Sequence, residues 1–166
     1  MKKQIFAFVL LFGLLASCEK VVKPVHDINV TYDESLSDTL LDGRLLLMLS
    51  TDDSDEPRFQ INDGLNTQII FGVNVNDWAP NTPIKFDASV FGYPYSSLKE
   101  IPPGEYNVQA LLNVYETFEL ATGQTVKLPM DNGEGQQWKS SPGNLYSTPF
   151  KIRIASNGTC FTSKRI

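Results

Sequence analysis

Histidine and cysteine are scarce in this 166-residue chain, and their scarcity excludes several kinds of site. The chain has one histidine, His26, and two cysteines, Cys18 and Cys160. A structural zinc site needs four such ligands, so we expect no metal site of that kind. A serine hydrolase needs a histidine base beside its nucleophile, and the sequence has neither a Gly-x-Ser-x-Gly turn nor a phosphate-binding glycine loop. We therefore expect neither enzyme activity nor a cofactor, and interpret His26 as a solvated linker residue.

Clustered basic residues are also lacking. The chain has 14 Lys and Arg against 19 Asp and Glu, for a net charge of −5. Two of these lysines, Lys2 and Lys3, lie in the N-terminal segment, and no basic run follows them. Binding to phosphates requires grouped Lys and Arg, so nucleic acid is not an expected partner.

The first seventeen residues have the layout of a bacterial lipoprotein signal peptide. Two lysines precede an apolar run from Ile5 to Ala16, which is short for a transmembrane span. The run ends in Leu15-Ala16-Ser17-Cys18, an aliphatic residue, two small residues and a cysteine, as in a lipobox. This pattern predicts lipid attachment at Cys18 and location in the cell envelope, with outer-membrane delivery allowed by Glu19. The alternative is a plain secretory signal cleaved near Ser17.

The rest of the chain divides into three parts by composition. Residues 18–41 contain Pro24 and scattered charged and hydroxyl residues, which predicts a lipid-anchored tether. Residues 42–155 have the pattern of one folded domain, and residues 156–166 form an irregular tail. Acylation of Cys18 would leave Cys160 without a disulfide partner in the chain. The tail is open to two interpretations: a truncated or frame-shifted product of a longer gene, or a naturally short lipoprotein.

The predicted domain consists of short strands separated by glycine and proline turns. Apolar or alternating runs of strand length cover residues 44–50, 68–75, 84–88, 105–114, 125–128 and 150–154. No good helical segment interrupts them, so the pattern predicts an all-β, immunoglobulin-like Greek-key β-sandwich. Ile101-Pro102-Pro103-Gly104-Glu105-Tyr106 resembles a tyrosine corner, in which the Tyr106 hydroxyl bonds back across the turn. A generic turn before an aromatic strand residue is the alternative.

Two acidic segments are candidate cation sites. Residues 51–56 carry four acids and residues 131–135 carry two. Carboxylates are calcium ligands, but neither segment has the spacing of a known calcium loop. We interpret both as solvated turns.

The segment from residue 133 to residue 146 is the most unusual in composition, with amides, two aromatic residues and three glycines. It supports two interpretations. In one, the aromatic rings stack on sugars while the amides bond to hydroxyl groups. In the other, the rings plug the end of the domain or contact a neighbouring domain, while the amides satisfy loop backbone. The candidate contact residues are Gln136, Gln137, Trp138, Asn144 and Tyr146. Trp78 and Tyr93-Pro94-Tyr95 are open to the same two interpretations.

Several motifs together resemble the N-terminal β-domain of large exported Bacteroidota proteins that carry an esterase-type α/β-hydrolase domain further along. The resemblance covers residues 43 to 154. Its motifs are Arg58-Phe59-Gln60, Phe71-Gly72-Val73 with Trp78, Gly92-Tyr93-Pro94, Pro103-Gly104-Glu105-Tyr106, Asn113-Val114-Tyr115, Gly133 to Trp138 and Ser141 to Tyr146. It implies an accessory role, and it carries over no catalytic residue because the hydrolase domain lies outside this sequence.

The sequence thus predicts a membrane-anchored, non-catalytic interaction module, and the resemblance implies that it is the N-terminal part of a larger esterase-type protein. Its partners would be the membrane and either a downstream hydrolase domain or a glycan. A glycan-binding surface lipoprotein using Trp138 and Tyr146 is one alternative, and a fragment of a hydrolase is another.

Overall fold

The computed structural model describes residues 27–130, 137–154 and 164–165. These residues form ten β-strands and two single-turn 3₁₀ helices, so the all-β class is confirmed. The 3₁₀ helices span Pro57–Phe59 and Leu98–Glu100. None of the helices in this described part of the chain is long and apolar enough to cross a membrane. The strands are β1 (Ile28–Thr31), β2 (Leu41–Ser50), β3 (Ile69–Trp78), β4 (Ile84–Phe86), β5 (Gly92–Tyr93), β6 (Gly104–Glu119), β7 (Thr125–Pro129), β8 (Leu145–Tyr146), β9 (Phe150–Ile154) and β10 (Lys164–Arg165).

The larger sheet is antiparallel and curls into a half-barrel, with β2 at its centre. Its strand order is β5-β3-β2-β6-β7, and β8 and β9 also pair with β6. The leucine-rich run of β2 lies between β3 and β6 and is buried on both faces, because its residues alternate between two apolar clusters, as its unbroken apolar sequence predicts. Strand β6 is sixteen residues long, and it exceeds the predicted strand because its last residues form a hairpin with β7.

The smaller sheet pairs β1 with β4 in antiparallel fashion and with β10 in parallel. Ile28, Val30 and Tyr32 are fully or almost fully buried there. They share one apolar core with Phe86 and with the side of the larger sheet that carries Leu47. We call that side of the larger sheet the inner face.

The predicted tether is therefore too long. Residues 28–32 belong to the folded core, although the sequence analysis assigned residues 18–41 to a tether. Three large apolar side chains alternate along this segment, and they are buried because one face of β1 packs against the larger sheet. The Tyr32 hydroxyl also lies within hydrogen-bond distance of the carbonyls of Trp78 (2.7 Å) and Thr39 (3.0 Å).

The corner before β6 has the predicted hydrogen bond. The Tyr106 hydroxyl donates to the Pro102 carbonyl at 2.8 Å, and the ring packs in the core. Burial raises the pKa of this phenol. The tyrosine thus closes the turn through a buried polar contact, as in a tyrosine corner.

Candidate functional site

The side of the larger sheet opposite the inner face is only partly covered, and we call it the outer face. It consists of three rows of residues that β-sheet register brings side by side across β3, β2 and β6. The rows are Asn74-Arg44-Asn113, Gly72-Leu46-Leu111 and Ile70-Met48-Gln109.

Gln109 organises the covered end of the outer face. Its side chain is fully buried and makes three hydrogen bonds to two separate segments, residues 56–58 and Ser147. Its Oε1 accepts from the Arg58 backbone N–H at 3.1 Å, and its Nε2 donates to Glu56 Oε2 at 2.7 Å and to the Ser147 carbonyl at 3.0 Å. A buried amide with every contact made holds its partners in one arrangement. The 3₁₀ turn at Pro57–Phe59 is therefore fixed to β6 and to Ser147, which lies between β8 and β9.

Arg58 extends this arrangement to the surface. Its guanidinium carbon lies 3.7 Å from the centre of the Tyr146 ring and 4.5 Å from that of Phe59. Its Nε lies 2.9 Å from Glu56 Oε2, and Nη1 donates to the Lys139 carbonyl at 3.3 Å. A guanidinium stacked on rings and paired with a carboxylate orients those rings through cation–π and charge contacts. Tyr146 is consequently held rigidly although its side chain is 49% exposed.

The other end of the outer face is open and polar. Arg44 lies over Gly72, since a Cβ at residue 72 would come within 2.8 Å of both Nε and Nη2 of the guanidinium. Nη1 of Arg44 donates to Asn74 Oδ1 at 2.9 Å. Asn113, directly opposite Arg44, is 7% exposed, and its Oδ1 is buried without a hydrogen-bond donor among the described residues.

Exposed aromatic side chains lie at the ends of the two rows next to this polar row. Phe91 is 69% exposed, and its carbonyl accepts a hydrogen bond from the Gly72 N–H, which places it beside the Gly72 row. Tyr93 pairs with Ile70 on the same face and is also exposed. Tyr146 pairs with Leu111 at the opposite edge. Exposed aromatic residues thus lie at both edges of the outer face, with Arg44 over Gly72 between them, and we call this region the platform.

The segment singled out by composition lies beside this platform, but its side chains have mostly structural contacts. Trp138 packs against the Leu46, Met48 and Leu111 cluster. Asn144 uses both ends of its amide internally: Oδ1 accepts from the Val114 N–H at 3.1 Å, and Nδ2 donates to the Trp138 carbonyl at 2.7 Å. The contacts of Asn144 match the second interpretation, in which the amides satisfy loop backbone.

The same segment contains two further amide residues, Gln136 and Gln137. Gln137 is exposed, and its backbone carbonyl accepts from Ser140 N and from Ser141 Oγ. Gln136 lies outside the described residues, as do Cys18, His26 and Cys160.

The acidic turn after β2 is occupied by local contacts. Asp52 Oδ1 accepts from the Ser54 N–H, and Asp53 pairs with Lys151 at 2.7 Å. That ammonium group lowers the pKa of the Asp53 carboxyl, chiefly through the hydrogen bond. Across the described ranges, no group of three acidic, histidine or cysteine side chains is arranged to hold a metal ion.

A second exposed surface lies on the hairpin formed by β6 and β7. Register places Phe118 opposite Val126 and Leu128 opposite Glu116 on one face, while the Thr117 and Lys127 pair lies on the other. Exposed apolar residues on the first face include Phe118 and Leu128. The hairpin is thus amphipathic, in the manner of a ribbon that rests against another surface.

Sequence reasoning missed the polar part of the outer face. Arg44 was interpreted only as the first residue of a buried strand, and neither Phe91 nor Asn113 was considered as a site residue. The available signal was the alternation in Gly43-Arg44-Leu45, which puts Arg44 on the opposite face from Leu45.

Comparison with known proteins adds no relative: the chain matches no family model, no curated protein and no solved structure.

Proposed function

We propose that the chain is a non-catalytic interaction module of an exported lipoprotein, held in the cell envelope, at the outer membrane, by lipid on Cys18. Its domain would be of the immunoglobulin-like Greek-key type, similar to the N-terminal domains of larger esterase-type proteins. The two-layer core and the Tyr106 corner support that finer fold assignment.

The observation that carries the proposal is the composition of the outer face. Partner-binding surfaces are enriched in tyrosine, phenylalanine, tryptophan and arginine, and their energetically dominant residues are rigid aromatic and arginine side chains. Phe91, Tyr93 and Tyr146 are exposed on the same face as Arg44, the two tyrosines within strands and Phe91 directly before β5. A surface prepared in this way loses little side-chain entropy when a partner binds.

Anchoring is tested with the full chain expressed in a bacterium that processes lipoproteins. Wild type should incorporate labelled palmitate and sediment with the envelope, and Cys18→Ser should lose both properties. Cys160→Ser is the matched control, because it removes a cysteine that the proposal leaves unmodified. Palmitate labelling that survives in Cys18→Ser contradicts the anchor.

The absence of catalysis is tested with p-nitrophenyl acetate and longer esters. The purified chain should give no turnover above buffer. Turnover that a single serine substitution abolishes would establish a hydrolase and overturn the proposal. Sequencing of the gene beyond codon 166, in all frames, tests whether an esterase-type domain accompanies this one.

A second function, glycan binding at the surface, is favoured by the ring platform and its amides. Protein sites that bind sugars combine aromatic faces with fixed polar groups. A glycan array should show binding by wild type, at least tenfold weaker binding by Phe91→Ala, and unchanged binding by Phe118→Ala. Phe118 is an exposed phenylalanine on the hairpin, away from the platform, so it is a matched control. Equal binding by all three chains would place any glycan site elsewhere.

A further inference from the structure

We propose that the row Asn74-Arg44-Asn113 on the outer face is a binding site for a carboxylate-bearing saccharide, with Arg44 as the group that binds the carboxylate. This inference rests on the glycan-binding alternative and deepens it by naming the ligand class and the residue that selects it.

The first step is the charge state of Arg44. Four basic side chains in the described ranges are neutralised by carboxylates: Arg58, Lys85, Lys127 and Lys151 each form an ion pair. Arg44 has no carboxylate partner in those ranges, and its one hydrogen bond there is to the neutral amide of Asn74. Arg44 is therefore an uncompensated positive charge at the open end of the outer face, in a chain of net charge −5.

The second step is geometry. Residues that pair directly across β2 and β6 have Cβ atoms about 5 Å apart, so Asn113 is the immediate neighbour of Arg44. Gly72 has no side chain, so the Nε and Nη2 atoms of Arg44 can lie over its Cα, while Asn74 holds Nη1. A guanidinium presents its N–H groups as a fork, the arrangement that binds a carboxylate through two parallel hydrogen bonds.

The third step is the orphan acceptor. The buried Oδ1 of Asn113 has no donor among the described residues, and an unsatisfied buried carbonyl is destabilising. A ligand that supplies both an anion and a hydroxyl donor satisfies Arg44 and Asn113 together once the amide turns toward it. A uronic acid carries both groups on one ring.

The fourth step separates a saccharide from an acidic peptide. One rim of the site is Phe91, which is 69% exposed, and pyranose rings stack on aromatic side chains of this kind. An aspartate or glutamate side chain offers the carboxylate, but it has neither a ring to stack nor a hydroxyl for Asn113. The site as a whole therefore fits an acidic sugar better than an acidic peptide.

The test is affinity electrophoresis of the purified full chain in native gels that contain one polymer at a time. The polymers are polygalacturonate, its methyl ester, and polyglutamate. Because the chain is acidic, non-specific adsorption to a polyanion is disfavoured, and retardation reports a specific contact. We expect retardation by polygalacturonate alone, weakening as NaCl is raised.

Three variants test the residue assignment. Arg44→Gln removes the charge, and Gly72→Ala retains it but displaces the guanidinium. Each should weaken binding to polygalacturonate about tenfold or more, the loss expected when a hydrogen bond to a charged group is removed. Arg153→Gln removes an exposed arginine from β9 and should bind as wild type does. Thermal melting of all three variants checks that each is folded.

Each other outcome overturns the inference in a distinguishable way. Equal retardation by the methyl ester refutes carboxylate selection but leaves glycan binding standing. Equal retardation by polyglutamate refutes the saccharide as ligand. Arg44→Gln and Arg153→Gln with the same affinity refute the assigned residue. If none of the three polymers retards the chain, the inference fails, and a negative glycan array would show that the glycan-binding function fails with it.

Discussion

Replacing the buried amide of Gln109 should destabilise the whole domain, because this side chain joins three segments that are far apart in sequence. Methionine at this position keeps the length and much of the volume of glutamine while removing all three hydrogen bonds. The Arg58 backbone N–H and the Ser147 carbonyl would then be buried without their present partner. Glu56 would keep its contact with the Arg58 guanidinium, so its loss is smaller.

The expected magnitude follows from these partners. Two buried groups left unsatisfied cost about 1–3 kcal/mol each, and the more apolar side chain offsets a part of this, which leaves about 3 kcal/mol. For a domain of this size, that free energy lowers the melting temperature by about 10 °C. Differential scanning calorimetry or circular dichroism on the Gln109→Met chain measures it.

Gln124→Met is the matched control, because it makes the same chemical change at an exposed hairpin position. It should stay within about 0.5 kcal/mol of wild type. The reasoning is refuted if the two methionine variants melt within 2–3 °C of each other, about the shift that 0.5 kcal/mol produces. Such a result would mean that the hydrogen bonds of Gln109 contribute no more to stability than those of a solvated amide.

Three further predictions concern single groups. Tyr106→Phe keeps the buried ring but removes the 2.8 Å bond to the Pro102 carbonyl, so urea denaturation should show a loss of about 1 kcal/mol; an unchanged midpoint would contradict the tyrosine corner. The pKa of the Asp42 carboxyl is lowered by the hydrogen bond from Lys127 and by a backbone N–H. Its folded pKa is therefore below its unfolded value. The stabilisation that this carboxylate provides is present above about pH 4 and is lost as the pH falls through the folded pKa. Asp42→Asn should therefore flatten the plot of unfolding free energy against pH in that acid range. Gly123 has a φ of +79° in the turn between β6 and β7, and Gly123→Ala should cost about 1 kcal/mol in the same denaturation assay; a neutral or stabilising effect would contradict the assigned backbone conformation.

Sequence pattern was sufficient where a strand is long or clearly alternating. Residues 150–154 were predicted as a strand from alternation alone, and they form β9 with the same bounds. The Tyr106 corner could be anticipated because its residues are contiguous and its hydrogen bond spans four positions. Local patterns of this kind depend on the backbone near the motif and not on the rest of the fold.

Pattern was insufficient where a partner distant in sequence decides the structure. Strand β1 has the alternation Ile28, Val30, Tyr32, but it is four residues long and lies in a polar segment, so composition pointed to a tether. Its pairing with β4, more than fifty residues away, and with β10 makes the segment part of the core. Strand β5 has two residues, which is too few for any periodicity to be recognised.

The same difference between local and long-range determinants applies to the candidate site. It explains why the segment from residue 133 to residue 146, the most unusual in composition, is not the centre of the platform. Amides and aromatic residues close together in sequence suggest a binding loop. Both ends of the Asn144 amide, however, form hydrogen bonds within the domain, to the backbone of Val114 and of Trp138. A loop that must cover part of the outer face needs those groups to satisfy its own backbone. Its rigid fit against Leu46 and Leu111 sets the edge of the open region in which Arg44 remains unpaired. The polar groups left over by folding, and not the ones most abundant in sequence, are therefore those available to a ligand.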